Sequence, residues 1–183
     1  TLTTDSVDVS CFEECDGSAI AIAGGGTGTL AYLWNDLSAQ TTETATGLCA
    51  GTYRVIVTDA NGCRDTAFVN VDEPTDLVLN TDSLDVACGG TCTGQAMVSA
   101  TGGTPAYTYA WNDGLSQTTN TAFALCAGLY EIIVTDNNGC DDTAFVNIDE
   151  PVLLSVVVDS TFITCFGADD GTATATAADG TTP

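Results

Sequence analysis

The chain predicts an all-β fold of tandem sandwich repeats, and three observations carry that prediction. The stretch from Leu48-Cys49-Ala50-Gly51-Thr52-Tyr53 to Asn61-Gly62-Cys63 returns as Leu125-Cys126-Ala127-Gly128-Leu129-Tyr130 to Asn138-Gly139-Cys140, 77 positions on. Apolar residues alternate within it, as at Tyr53, Val55 and Val57, which is the period of a half-buried strand. Each copy then reaches Asn-Gly, a strong local signal for a type I′ hairpin turn.

The same 77-residue offset relates Cys11, Cys88 and Cys165, the pair Trp34 and Trp111, and the pair Pro74 and Pro151. The sequence therefore divides into repeat one, 1–74, repeat two, 75–151, and the start of a third, 152–183. It reads as a window on a longer array.

Within repeat one, a first strand is expected near Leu2–Cys11, then a loop over Phe12–Asp16. A second strand over Gly17–Ala23 places Ala19, Ala21 and Ala23 on one face and Ile20 and Ile22 on the other. Gly24-Gly25-Gly26-Thr27-Gly28 is a turn that needs positive φ. A third strand, Thr29–Asn35, carries Trp34, and the Thr-rich Asp36–Gly47 is expected to hold two short strands. Thr52–Thr58 and Cys63–Val71 form the last hairpin, and Asp72-Glu73-Pro74 closes the module, since proline gives no donor to a ladder. Seven short strands suggest an immunoglobulin-like sandwich, with Trp34 as core anchor and Tyr53, in Leu48-x-x-Gly51-x-Tyr53, as a tyrosine corner.

Composition narrows the function. A formal charge of −23 with Arg54 and Arg64 as the only basic side chains argues against binding nucleic acid or anionic lipid, both of which need Lys and Arg. Apolar runs such as Val156-Val157-Val158 are far too short to span a bilayer. Nine cysteines occur without any His or Cys-x-x-Cys pair, so disulfides in an oxidising compartment are the better reading than zinc. A module this small buries only about 60% of its unfolded surface, and staples are expected.

Four cysteines per repeat allow three pairings. With strands alternating up and down, Cys11, Cys15 and Cys49 lie at one end of the module and Cys63 at the other. Cys15–Cys49 is then plausible within repeat one and Cys92–Cys126 within repeat two. Two alternatives stay open for the rest. In one, staples run between repeats, Cys11 to Cys140 and Cys88 to a cysteine beyond Pro183. In the other, Cys11–Cys63 and Cys88–Cys140 close inside each module, which needs six strands or an early end to the first. The third repeat keeps Cys165 but has Asp169 where Cys15 and Cys92 stand.

Several segments together resemble the SprB repeat family of Bacteroidota surface proteins. They are Cys165-Phe166-Gly167-x-x-Asp170-Gly171-Thr172-Ala173, Gly102-Gly103-Thr104-Pro105-x-Tyr107-x-Tyr109-x-Trp111, and Leu48-x-x-Gly51-x-Tyr53-x-Val55-x-Val57-Thr58-Asp59-Ala60-Asn61-Gly62-Cys63. PKD-type modules share part of the last. Repeat one departs at Gly26-Thr27-Gly28-Thr29-Leu30, and Cys15 and Cys49 are additions to the usual two-cysteine pattern. The resemblance implies secreted, cell-surface arrays exported by the type IX system that serve as adhesins or filaments, some in gliding motility. It also implies a compartment where O-glycans are attached at Asp-Ser/Thr. The matching acceptors are Thr66, Thr143, Ser6, Ser83 and Ser160, with plain solvated Asp-Thr pairs as the alternative.

Catalysis is not expected: there is no His or Lys, and the pairs Asp72-Glu73 and Asp169-Asp170 fall at module edges. No cofactor is expected. Asp16, Asp59, Asn61, Asp72 and Glu73 could offer hard oxygens to Ca²⁺ near module ends, against the commoner reading as turn residues. Two function classes follow, a structural stalk and an array of adhesive modules. The expected partners are neighbouring repeats, other copies in a fibre, and O-linked glycans. Short, Gly-rich or cysteine-closed loops favour the stalk.

Overall fold

The computed structural model describes residues 1–180; the last three positions of the third repeat lie outside the described residues. Fourteen strands and no helix occur among the described residues. These residues form two compact units. The first comprises Thr1–Leu79, Ala100–Thr108 and Val134–Asp142; the second comprises Asn80–Ser99, Tyr109–Ile133 and the chain from Thr143 onward.

Repeat one contains β1 (Leu2–Val7), β2 (Gly17–Ala23), β3 (Ala31–Trp34), β4 (Thr44–Leu48), β5 (Gly51–Thr58) and β6 (Arg64–Val71). They form two three-stranded sheets, β1-β2-β4 and β3-β5-β6, with antiparallel neighbours. Repeat two has β7 (Val78–Leu84), β8 (Gly94–Thr101), β9 (Thr108–Trp111), β10 (Thr121–Leu125), β11 (Gly128–Thr135) and β12 (Asp141–Ile148), in the same sheet order. β13 (Ser155–Thr161) and β14 (Thr172–Ala178) pair as a hairpin.

The alternation in β2 decides which face is inside. Ala19 and Ala21 are buried and Ile22 is half exposed, the reverse of what side-chain size alone suggests. The small side chains belong to one cluster with Trp34, Ala45 and Val55, so alanine on one sheet makes room for indole on the other. Trp34 is 1% exposed, and its Nε1–H donates to the Thr42 carbonyl at 2.9 Å, as a buried indole requires. Glycine opens β2 for a steric reason: a Cβ at Gly17 would stand 2.7 Å from Val71 Cγ1 and 2.9 Å from the Leu48 carbonyl oxygen.

The expected seven strands are six. Asp36–Gly47 holds one strand, β4, rather than two, because a single side chain does the work of the other. Gln40 accepts the Thr46 N–H at Oε1 (3.1 Å) and donates from Nε2 to the Thr46 carbonyl (2.9 Å), satisfying both outward backbone groups of mid-β4. Asp36 holds Gln40 in place by accepting its backbone N–H (2.9 Å) and its side-chain N–H (3.0 Å). Gln117, held by Asp113, treats Phe123 identically.

Strand directions survive the lost strand. β3 pairs with the Thr58–Val55 half of β5, and β4 pairs with the Ile20–Gly17 half of β2. The chain climbs half the module on one sheet, crosses, and climbs the rest on the other. Leu48 therefore ends beside Gly17 at one end, while the β5–β6 turn closes the other.

Boundaries also shift: β5 begins at Gly51 rather than Thr52 and β6 at Arg64 rather than Cys63, and three further ends move in β1 and β3. β1 ends at Val7, not near Cys11, because the chain leaves β2 and turns to β6: Val9 N–H donates to the Asp72 carbonyl at 2.9 Å and Val9 is buried. β3 begins at Ala31 rather than Thr29, since Gly28 keeps positive φ and Thr27 is tied by its carbonyl to Ala60 N–H. It ends at Trp34 rather than Asn35, whose side-chain oxygen accepts the Arg54 N–H at 2.6 Å. The Asn61-Gly62 hairpin is not type I′. Only Gly62 has positive φ, Gly62 N–H donates to the Asp59 carbonyl, and Asp59 N–H donates to Cys63, which is a type I turn followed by a left-handed glycine.

Candidate functional site

The residues with chemistry to perform are the cysteines and the acidic turns beside them. Cys15 is bonded to Cys49 and Cys92 to Cys126. The tyrosine corners brace both bridges, with Tyr53 donating to the Cys49 carbonyl at 2.9 Å and Tyr130 to the Cys126 carbonyl at 3.1 Å. Cys11 is bonded to Cys140, across 129 residues, with a Cα separation of 5.7 Å inside the ordinary disulfide range. Of the two alternatives the sequence left open, the structure has the one linking repeat one to the β11–β12 turn of repeat two. Cys11 and Cys140 both lie in the first unit. Cys63, Cys88 and Cys165 are exposed thiols.

Both sides of the Cys11–Cys140 bridge are also held by hydrogen bonds. On one side, the Asp16 carboxylate accepts the Ser10 N–H at 2.9 Å and the Ser10 hydroxyl at 2.5 Å. These bonds hold the Asp16 carboxyl below its ordinary value. On the other, buried Asp136 accepts N–H groups from Thr104 (2.7 Å), Asn138 (2.8 Å) and Cys140 (3.0 Å). Asn138 Nδ2 then donates to the Ser10 carbonyl at 3.0 Å, and Cys140 Sγ lies 3.3 Å from the same oxygen. Sequence reasoning did not single out Asn138, Asp136 or Ser10. The visible signal was the recurrence of Asp-x-Asn-Gly-Cys in both repeats. A crevice of about 480 Å³ beside the bridge is lined by Phe12, Glu14, Asp76, Asp136 and Asp141.

For Asp136, burial alone would raise the carboxyl; the N–H donors of Thr104, Cys140 and Asn138 outweigh it and the net shift is downward. A carboxyl lowered in the folded state contributes stability fully present above its unfolded value of about 3.9, lost as pH falls through the folded value. Thermal melts are expected to hold from neutral pH to about 4 and to fall below that. Asp136→Asn is expected to melt lower at pH 7 and to show a shallower acid decline. Equal acid slopes in the two proteins would remove Asp136 from the account.

The calcium candidates do not converge. Asp59 is used by the N–H groups of Cys63, Thr27 and Asn61, which lower its carboxyl; Asp72 accepts from Asn70 Nδ2, and Glu73 from the Glu13 N–H. No group of three or more His, Cys, Asp or Glu suited to a metal occurs among the described residues. The glycan-acceptor candidates sit on strands. Thr66, Ser83, Thr143 and Ser160 are exposed, while half-buried Ser6 donates to the Asn70 carbonyl at 2.8 Å. In Asp5-Ser6, Asp65-Thr66 and Asp82-Ser83 the carboxylate accepts the next residue's N–H.

Paired three-stranded antiparallel sheets, a buried tryptophan and a bonded tyrosine corner define an immunoglobulin-like sandwich repeat. The SprB repeat family model matches residues 3–39 and 80–116, so both full repeats are similar to that family over their first halves. The family is one of cell-surface proteins, and its repeats are typically structural rather than enzymatic. No curated protein matches the chain. Among solved structures it is similar to one concerned with Dscam isoform specificity, with 12% identity and TM-score 0.36 over 81% of this chain and 45% of that one. An amphioxus IgVJ-C2 molecule gives 14% identity and TM-score 0.34, over 79% and 95%. The N-terminal eight Ig domains of Down syndrome cell adhesion molecule give 13% and 0.36, over 87% and 22%. The chain spans less than half the length of the first of these. The fold class rests on the strands and sheets themselves.

Proposed function

We propose that this chain is a segment of a secreted cell-surface filament or adhesin stalk in which disulfides between successive repeats carry load. The observation behind the reading is the Cys11–Cys140 bridge. Tension applied at the two ends runs from residue 1 to Cys11, across the sulfurs, and on from Cys140. Everything between the two cysteines, including both shorter bridges, is off the load path. A stalk built this way hardly lengthens when its modules unfold.

Single-molecule stretching tests it. Reduction should release a hidden length of about 450 Å, the 129 residues at about 3.5 Å each. Equal extension before and after reduction would end the reading. Type IX export, O-glycans at Thr66, Thr143, Ser6, Ser83 and Ser160, and membership of the gliding-adhesin class accompany the proposal. An intact mass equal to the bare polypeptide in natively sourced material would dispose of the glycans.

The second reading is that each repeat is itself a ligand- or glycan-binding adhesive module, stabilised by Ca²⁺. EDTA should then lower the melting temperature, and two isolated repeats should bind a glycan array. The stalk reading expects neither.

A further inference from the structure

The chain's two basic side chains, Arg54 and Arg64, stand on one sheet face. In β5, Val55 and Val57 are buried, which turns Arg54 and Ile56 away from the core; in β6, buried Val69 and Val71 turn Arg64 and Phe68 the same way. The register sets Arg54 opposite Phe68 and Leu33 opposite Ile56. The remaining outward positions of β3, β5 and β6 are Ala, Thr and Asn, so a chain with 25 acidic side chains places none of them here. Phe68 is 64% exposed, and Leu33 is half exposed.

Repeat two carries the same face with its charges reversed. Buried Ile132 and Val134 turn Glu131 and Ile133 outward in β11, and buried Val146 and Ile148 turn Asp141 and Phe145 outward in β12. Across the 77-residue offset Ile56 and Phe68 recur as Ile133 and Phe145, while Arg54 becomes Glu131 and Arg64 becomes Asp141. Phe145 is 58% exposed. The face is open in repeat one, which a repeat follows, and in repeat two, which a repeat precedes, so no missing neighbour accounts for it. An apolar patch kept exposed in both repeats marks a contact surface, and opposite charges at both charged positions make the two faces complementary.

We propose that the β3-β5-β6 face of repeat one docks on the β9-β11-β12 face of repeat two in a second copy of this chain. Arg54 and Arg64 of one copy meet Glu131 and Asp141 of the other, around the phenylalanine and isoleucine of each face. The constant offset keeps the spacing of the two charges, so both pairs form in one docking. Each copy has one face of each sign, and the contact is heterologous. Three strands about 4.8 Å apart and up to eight residues long, at about 3.4 Å each, cover roughly 400 Å² per side. That is a small interface, for which a Kd of about 100 µM is expected. Thr66 and Thr143 stand on these faces, two residues before Phe68 and Phe145, so an O-glycan at either excludes the contact. The docking therefore belongs to chains bare at these two positions. It deepens the stalk reading by giving stalks a surface through which they bundle.

The test is sedimentation velocity on the unglycosylated chain with its three bridges intact, at about 0.15 M salt, which screens net repulsion beyond about 8 Å. Wild type should pass from monomer to larger species between about 10 µM and 1 mM. R54E/R64D gives a chain with two acidic faces, and E131R/D141R one with two basic faces. Each should associate at least about tenfold more weakly than wild type, because like charges then meet. Mixed together, the two variants should associate as wild type does. All four positions lie outside the core, so folding is spared. A wild type that stays monomeric at about 1 mM would give the basic face to some other acidic partner and end the proposal. Variants that associate as wild type does, or a mixture no stronger than its components, would overturn it equally. The stalk reading turns on the Cys11–Cys140 bridge and is tested by reduction, so either can fail without the other.

Discussion

A C11S/C140S chain is expected to lose about 4 kcal/mol of stability in the first unit, the chain-entropy value for a separation of 129 residues that the two bridges inside it, each of separation 34, shorten by about half. No other link in the molecule constrains so much sequence. The Asn138–Ser10 hydrogen bond, worth about 1 kcal/mol, would remain. Both cysteines should be replaced together, because Cys11→Ser alone frees Cys140 to exchange with the exposed Cys63. Urea unfolding followed by tryptophan fluorescence is the measurement, with limited proteolysis in the linker around Thr75 as a second readout. A double variant that unfolds at the wild-type midpoint, with its linker no easier to cut, would show that the sulfurs join segments already held by other means.

Trp34→Ala is the other large effect, expected to cost about 3–5 kcal/mol. The indole is 1% exposed and packs in one cluster with Ala19, Ala21 and Ala45. None of these alanines can reach across the space it leaves. The Thr42 carbonyl also loses its donor, in the segment that leads into β4. For a domain of this size each kcal/mol lowers the melting temperature by about 4–8 °C, so the first repeat should melt about 12–40 °C lower. Trp111, which occupies the equivalent site and bonds Thr119, then becomes a clean fluorescence reporter for repeat two. A variant that retains cooperative melting within a few degrees of wild type would mean the sheets collapse onto the gap.

Much of this was legible in the sequence, for identifiable reasons. Alternation located β2, β5 and β6, because a strand with one buried face writes its period directly into the chain. Tyr53 was legible because a corner needs a tyrosine at a fixed offset from the preceding turn. The missing seventh strand was not legible, since nothing in a Thr-rich run announces that the Gln40 side chain will bond Thr46 as backbone would. Only the recurrence of glutamine at 117 hinted at it. The turn type was not legible from Asn-Gly alone, because the Asp59 carboxylate draws the Asn61 and Cys63 N–H groups inward. At the junction, strand direction narrowed the cysteine pairing, but the partners Ser10 and Asn138 stand 128 residues apart, and no local pattern connects them.

The glutamine surrogate bears on how such an array can be made at all. Neighbouring repeats of one fold emerging one after another are prone to exchange strands, since a copy's unsealed border can accept its neighbour's segment in place of its own. By occupying both outward groups of Thr46, and in the next copy of Phe123, one amide from the same module seals that border from within. Each bead thus completes its own seam before its twin arrives, and misassembly along the string is discouraged by a side chain rather than by differences in sequence.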